Sequence, residues 1–334
     1  MAFVGLLQYS ALAVLILQIL RPSLASVAPV VVEKQLLWQG GSTAEVAAFR
    51  IPIITNTPDG GLLIVAESRK FSGSDAGAKF LTLRRSIDGG SSWSPVELLV
   101  EDFQTVDGLN VAHRCFNKQP FSERGSLGLR TRYGIQLTKG KQKGRLVACG
   151  HLISDYGSRE GLYCLKSDDH GNTWEVGASI PGIPDYSAKK VGDFALSEPQ
   201  IVELQNGSLL CFTRNTYAYH CNCKVVSRSD DQGDTFLQKS IRFDDILVDP
   251  GCAGSALMHK GVLYHLNPNS AKSRDNLTLR WSEDEGQTWK GSLAIDPGSS
   301  GYSCLSAIDD NHIGLAYETR GYRDITFVRV RLHP

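Results

Sequence analysis

Four strand-like runs, Phe80 to Arg84, Gly161 to Lys166, Lys224 to Arg228 and Leu277 to Trp281, each lead straight into a polar turn. The turns share one pattern, Ser-x-Asp-x-Gly-x-Ser/Thr-aromatic. It appears as Ser86-Ile87-Asp88-Gly89-Gly90-Ser91-Ser92-Trp93, Ser167-Asp168-Asp169-His170-Gly171-Asn172-Thr173-Trp174, Ser229-Asp230-Asp231-Gln232-Gly233-Asp234-Thr235-Phe236 and Ser282-Glu283-Asp284-Glu285-Gly286-Gln287-Thr288-Trp289. Each position has a physical role in a tight connection: the Asp accepts nearby backbone N–H groups, the Gly takes a positive φ, and the aromatic ring packs inward. The repeating unit is strand, turn, strand.

The turns begin at 86, 167, 229 and 282, giving intervals of 81, 62 and 53 residues. These are close to one propeller blade with variable insertions. At roughly 50 residues per blade, the 334-residue chain accommodates about six. The expectation is therefore an all-β, six-bladed β-propeller occupying residues 26–334 as one domain. Composition agrees: 33 Gly, only 2 Met, and 42% hydrophobic with 21% charged residues describe a turn-rich globular chain, not a disordered or polytopic one. Thirty-five basic residues balance thirty-five acidic ones, so no global field collects nucleic acid or anionic membrane, and any anion site must be local.

The first 25 residues read as a signal peptide, because the apolar run Ala11 to Leu20 is broken by Arg21-Pro22 and followed by Ser23-Leu24-Ala25. The competing reading is a signal anchor, since residues 1–20 carry no charged side chain; Gln8 and Gln18 favour cleavage, and no stable membrane span is expected. Entry into the secretory pathway makes Asn206-Gly207-Ser208 and Asn276-Leu277-Thr278 glycan acceptors. Eight cysteines, at 115, 149, 164, 211, 221, 223, 252 and 304, can pair in an oxidising lumen, but spacing does not fix the pairing. His220-Cys221-Asn222-Cys223 lacks a second ligand cluster, so neither a metal nor any cofactor is expected.

Upstream of the first turn stand Phe49-Arg50-Ile51-Pro52, Ala66-Glu67-Ser68-Arg69 and Asp75, and further on Ser197-Glu198-Pro199-Gln200, Arg214, Arg274, Gly301-Tyr302-Ser303 and Tyr317-Glu318. Taken singly, Glu198 or Glu318 reads as a salt-bridged strand residue and Tyr302 as a rim aromatic. As an ordered set, together with the repeated turns, they resemble the sialidases, whose Asp boxes and Phe-Arg-Ile-Pro motif they match. Gln35-Leu36-Leu37-Trp38, Gly77-Ala78-Lys79-Phe80, Asp107-Gly108-Leu109-Asn110, Gly144-Arg145-Leu146-Val147-Ala148-Cys149-Gly150-His151 and Asn276-Leu277-Thr278-Leu279-Arg280-Trp281-Ser282 resemble the lysosomal sialidases of animals. The resemblance spans about residues 35–110 and 134–330.

That resemblance implies an exo-sialidase acting on terminal sialic acids of glycoproteins, oligosaccharides and gangliosides. Arg50, Arg214 and Arg274 would clamp the sugar carboxylate, since guanidinium is permanently charged and shaped for bidentate bonding. Glu318 would hold Arg50. A carboxylate nucleophile would be repelled by the substrate's own carboxylate, so Tyr302 would take that role, with Glu198 as its base and Asp75 as general acid and base. Glu67 and Arg69 would support the site, Arg69 near the sugar. The resemblance also implies a lysosomal lumen and association with a protective serine carboxypeptidase, cathepsin A.

One segment departs from the family. Residues 111–133 show neither strand alternation nor a box, and by resemblance roughly forty residues of one blade are absent, leaving that blade incomplete. A catalytically impaired propeller that binds sialoglycans or a protein partner is thus the alternative to the enzyme, and transfer of sialic acid to an acceptor is a third reading.

Overall fold

The computed structural model describes residues 28–42, 45–75, 78–101, 105–106, 109–110, 134–152, 161–180, 196–216 and 220–332. Residues 1–25, expected to be a signal peptide, and residues 111–133, expected to be a shortened blade, lie outside them. Among the described residues the regular structure consists of β-strands and a three-residue 3-10 turn, Gln238–Ser240. The all-β expectation holds.

The strands form antiparallel meanders. One sheet is β2 (Val46–Asn56), β3 (Leu62–Lys70), β4 (Lys79–Ser86) and β5 (Glu97–Glu101). A second is β8 (Gly134–Gln136), β9 (Leu146–Leu152), β10 (Gly161–Ser167) and β11 (Glu175–Ile180), and a third is β12 (Leu196–Glu203), β13 (Leu209–Asn215), β14 (Cys223–Ser229) and β15 (Arg242–Val248). A seven-stranded sheet contains β16 (Ser255–His259), β17 (Val262–Pro268), β18 (Asp275–Ser282), β19 (Gly291–Asp309), β20 (His312–Thr319), β21 (Asp324–Arg331) and β1 (Val30–Trp38). Its strand β19 pairs with β18 as far as Ser299 and with β20 from Ser300 on. The sheet is therefore two four-stranded units joined through one long strand. The second unit is completed by β1, which pairs antiparallel with β21, from Val30 opposite Arg331 to Trp38 opposite Ile325. A small hairpin, β6 (Thr105–Val106) with β7 (Leu109–Asn110), follows the first sheet.

All four sequence runs are third strands of their units, and each Asp box forms the turn to the fourth strand. In every box the Ser hydroxyl donates to the Asp Oδ1 at 2.7 or 2.8 Å and accepts the Gly N–H at 2.8 or 2.9 Å. The same Oδ1 accepts the backbone N–H of the following Ser or Thr at 2.8 or 2.9 Å. Glycine is required sterically as well: Gly90 has φ +91°, and a Cβ there would meet the Phe327 ring at 2.4 Å. The unit closed by β1 has no box at that step, because β21 and β1 are far apart in sequence and no turn joins them.

Successive units pack face to face, and alternate residues of one strand feed two cores. On β13, Leu209 and Cys211 belong to the core shared with the β8–β11 sheet, whereas Leu210 and Phe212 belong to the core shared with β16 and β17. Both faces are buried. A third core joins the two halves of the seven-stranded sheet, and a fourth joins β1, β20 and β21 to β2 and β3. On β3 the pattern differs: Leu62, Ile64 and Ala66 are buried in that fourth core, while Leu63 and Val65 are only half-buried. The outward face of the β2–β5 sheet has no comparable apolar core among the described residues. This sheet precedes residues 111–133 in sequence.

Cys149 and Cys164, directly opposite on β9 and β10, form a disulfide, and Cys221 is joined to Cys223. Cys211, Cys252 and Cys304 are buried thiols; Cys115 lies outside the described residues. Cys221 and Cys223 are thus engaged with each other, and the His220 ring meets Phe243 edge-on at 4.7 Å. Of the two sequons, Asn206 is exposed on a turn, whereas Asn276 is half-buried with its amide donating to Asn269 O at 3.3 Å.

Candidate active site

Arg50, Arg69, Glu198, Arg214, Tyr302 and Glu318 lie on strands, Arg274 stands immediately before β18 and Asp75 in the turn after β3, and the fold gathers all eight. Arg50 lies on β2 where pairing with β3 is interrupted between Arg50 and Ile53, a β-bulge that re-aims the side chain. Ile51 adopts φ +54° there, unusual for a β-branched residue. Its N–H points at Glu318 Oε1, 2.9 Å away, and Arg50 Nε donates to the same oxygen at 2.7 Å. The other oxygen of Glu318 accepts the backbone N–H of Tyr302 at 3.0 Å. One fully buried carboxylate thereby fixes Arg50, the bulge and the backbone of Tyr302. Gly301 must be glycine, since a Cβ there would meet Glu318 Oε2 at 2.2 Å.

Tyr302, on the second half of β19, is 8% exposed. Its hydroxyl donates to Glu198 Oε1 and accepts a hydrogen bond from Arg214 Nη1 at 3.3 Å. Arg214 Nη1 also donates to Glu198 Oε2 at 2.9 Å. The Arg50 and Arg274 guanidinium groups lie 5.9 and 5.4 Å from the Tyr302 ring centre. All three clamp candidates therefore touch the tyrosine.

Arg69 is almost fully buried and is oriented from two sides. Its Nη2 donates to Glu67 Oε2 at 2.8 Å, and its Nη1 donates to Gly73 O at 2.8 Å and Asp75 Oδ1 at 2.7 Å. Arg50 Nη1 reaches the same Gly73 carbonyl at 3.3 Å. Asp75 is thus anchored beside the clamp while its own side chain stays 64% exposed at the mouth of the site.

Charges within the site are mostly compensated. Arg50 pairs with Glu318, Arg214 with Glu198, and Arg69 with Glu67 and Asp75. Burial opposes the charge on Arg50 and Arg214, but Glu318 and Glu198 respectively outweigh it and hold both guanidinium pKa values above the ordinary range. Arg274 differs: it donates only to Gly251 O, at 3.4 Å, and forms no ion pair among the described residues. Among the described residues of the site, Arg274 is therefore the arginine without a carboxylate partner.

Tyr322 was missed by sequence reasoning. Its ring lies 5.3 Å from the Arg50 guanidinium and 5.6 Å from that of Arg274, so Tyr302 and Tyr322 both flank the two arginines. It sits in the turn Arg320-Gly321-Tyr322, where all three residues have positive φ. Burial pushes its hydroxyl pKa up. Nothing in the local sequence distinguishes this residue from any turn tyrosine.

Comparison with known proteins follows the same lines. The BNR repeat-like domain matches residues 30–315. A sialidase of Micromonospora viridifaciens is 29% identical over 342 residues, covering 81% of this chain and 50% of its own length. A sialidase of Bacteroides fragilis (strain YCH46) is 27% identical, covering 86% and 62%. The chain thus spans half to three-fifths of these relatives. Among solved structures, the Hadza microbial sialidase Hz136 superposes with a TM-score of 0.66 at 22% identity, over 86% of this chain and 66% of that one. A Trypanosoma rangeli sialidase in complex with 2,3-difluorosialic acid, described as a covalent intermediate, gives 0.62 at 17% identity, over 90% and 59%. From its Asp-box turns to its matched repeat domain, the chain belongs to the BNR repeat-like family of the sialidase superfamily.

Proposed function

We propose that this protein is a retaining exo-α-sialidase built on a six-bladed propeller, and that it releases terminal sialic acid from glycoproteins, oligosaccharides and gangliosides. The observation that carries the reading is Tyr302, whose hydroxyl is hydrogen-bonded to Glu198 and Arg214 and whose ring is flanked by Arg50 and Arg274.

In this reading the three arginines bind the substrate carboxylate, with Arg274 contributing the charge that has no carboxylate partner among the described residues. Glu198 takes the phenol proton as Tyr302 Oη attacks the anomeric carbon, while Asp75 gives a proton to the departing glycosidic oxygen. In the second half Asp75 removes a proton from water, which displaces Tyr302, and the phenol recovers its proton from Glu198. Two inversions give net retention. The exposed position of Asp75 suits a group that meets the leaving group and then water. The covalent complex named for the Trypanosoma rangeli sialidase supports such an intermediate on this fold.

Five four-stranded units among the described residues, and a β2–β5 face on which Leu63 and Val65 are only half-buried, support six blades, the sixth being the shortened one. An incomplete sixth blade would favour the second reading, a propeller that binds sialoglycans with little turnover. The compartment belongs to the proposal too: a lysosomal lumen with cathepsin A as partner, supported by the N-terminal apolar run. The test is turnover of a fluorogenic aryl sialoside at acidic pH, with Tyr302→Phe as blank. Turnover above the blank supports the enzyme; sialoside binding without turnover selects the lectin-like reading.

A further inference from the structure

Beneath Tyr302 lies a buried ion pair with no part in the chemistry above. Lys224, near the start of β14, and Asp249, just after β15, are each 1% exposed, and Lys224 Nζ is 2.7 Å from Asp249 Oδ2. Lys224 Nζ also donates to the carbonyl of Cys252. Asp249 Oδ1 accepts the Cys252 N–H at 2.8 Å, and Asp249 Oδ2 accepts Asn267 Nδ2 at 3.2 Å. Both backbone polar groups of Cys252 are therefore held by this pair. The segment so pinned reaches the clamp twice. Gly251 O is the acceptor for Arg274 Nη2, and Cys252 and Ala253 pack against Tyr302.

Stability alone is a poor explanation, because a buried ion pair is often no better than an apolar pair of similar volume. What the pair does provide is direction: two fixed charges set the path of residues 249–252 from below. We infer that Lys224, acting with Asp249, is a positioning residue that holds Gly251 and Cys252 so that Arg274 and Tyr302 meet in register. The kinetic part of this inference rests on the sialidase reading; the structural part does not.

The experiment compares the parent with Lys224→Met, Lys224→Arg and the neutral pair Lys224→Met/Asp249→Asn. Hydrogen exchange of the peptide spanning 249–253 is measured alongside KM and kcat for an aryl sialoside. Lys224→Met should speed exchange there selectively and raise KM about tenfold, the scale of one charge-assisted hydrogen bond lost at the clamp, with kcat changed less than KM. Lys224→Arg, which keeps a charged donor, should restore both. If Lys224→Met does not fold because Asp249 is left unpaired, the neutral pair gives the same two readouts. Exchange and KM at parental values in a folded variant lacking Lys224 would overturn the inference. So would faster exchange spread over the whole chain with KM unchanged. If the parent itself shows no turnover, the sialidase reading fails, and selective exchange at 249–253 still decides the role of Lys224.

Discussion

Tyr302 gives its phenol hydrogen to Glu198, although 104 residues separate them in sequence. The bond joins the second half of β19 to β12, so it exists only when those units are correctly packed. Tyr302→Phe should therefore keep the fold and lower turnover about 10³-fold or more. Glu198→Gln, which keeps the shape but not the base, should also lose most of kcat. Labelling by a fluorosialyl inhibitor, followed by peptide mapping, should place the adduct on Tyr302; an adduct elsewhere removes it from the nucleophile's role.

Arg274 has no carboxylate partner among the described residues and bonds there only to the Gly251 carbonyl through Nη2, so its charge is left for substrate. Arg274→Lys keeps the charge but loses planar bidentate bonding and should cost about 1.5–3 kcal/mol of binding, read as KM and as inhibitor affinity. Unchanged saturation kinetics would take Arg274 out of the clamp.

Asp75→Ala should harm natural sialosides far more than an activated aryl sialoside, because a good leaving group needs little protonation. The ratio of the two kcat/KM losses is the measurement. Equal losses on both substrates would argue against an acid role.

Acid stability should show two windows. Burial holds the His265 pKa well below its ordinary 6.5, so folding gains from its neutral state and loses that gain as pH falls through 6.5. The carboxyls of Asp88 and Asp169, bonded by Ser92 and Thr173, and of Asp284, where Thr288 outweighs burial, are lowered from 3.8 to about 2. Their contribution is present above 3.8 and lost as pH falls from there to about 2. Melting temperature should therefore slope gently below pH 6.5 and steeply below pH 4. Asp88→Asn should flatten the lower slope, and His265→Phe the upper; a slope indifferent to both variants would refute this assignment.

How much was legible depended on how local the signal was. Each Asp box closes within eight residues, so turns, third strands and the blade-like meander could be read from Ser86 to Trp93 and its three copies. The site residues were legible only as an ordered set, because no single spacing brings Arg50 to Glu318. Tyr322, the Ile51 bulge and the Lys224–Asp249 pair were not legible, since each acquires its role from chain more than twenty residues away. The Cys149–Cys164 bridge likewise depends on the register of β9 against β10.

Leu63 and Val65 are only half-buried, and on the six-bladed reading a sixth sheet would pack against them. Inserting a relative's blade segment after Asn110 should cover them and raise both melting temperature and turnover per folded molecule. Equal values with and without the insert would mean that residues 111–133 already cover that face.

The pairing of β1 with β21 has a consequence for how the molecule is made. During synthesis the strand Val30–Trp38 emerges before every other strand described, and its partner Asp324–Arg331 after all of them. Until then β1 carries an unpaired edge and the apolar Leu37 and Trp38 without their final core. Nearly every other pairing is a local hairpin that can form as the chain appears, but this one must wait for the whole sequence between. A nascent chain is thus a row of locally formed hairpins whose closing strand β1 stays unpaired until β21 appears.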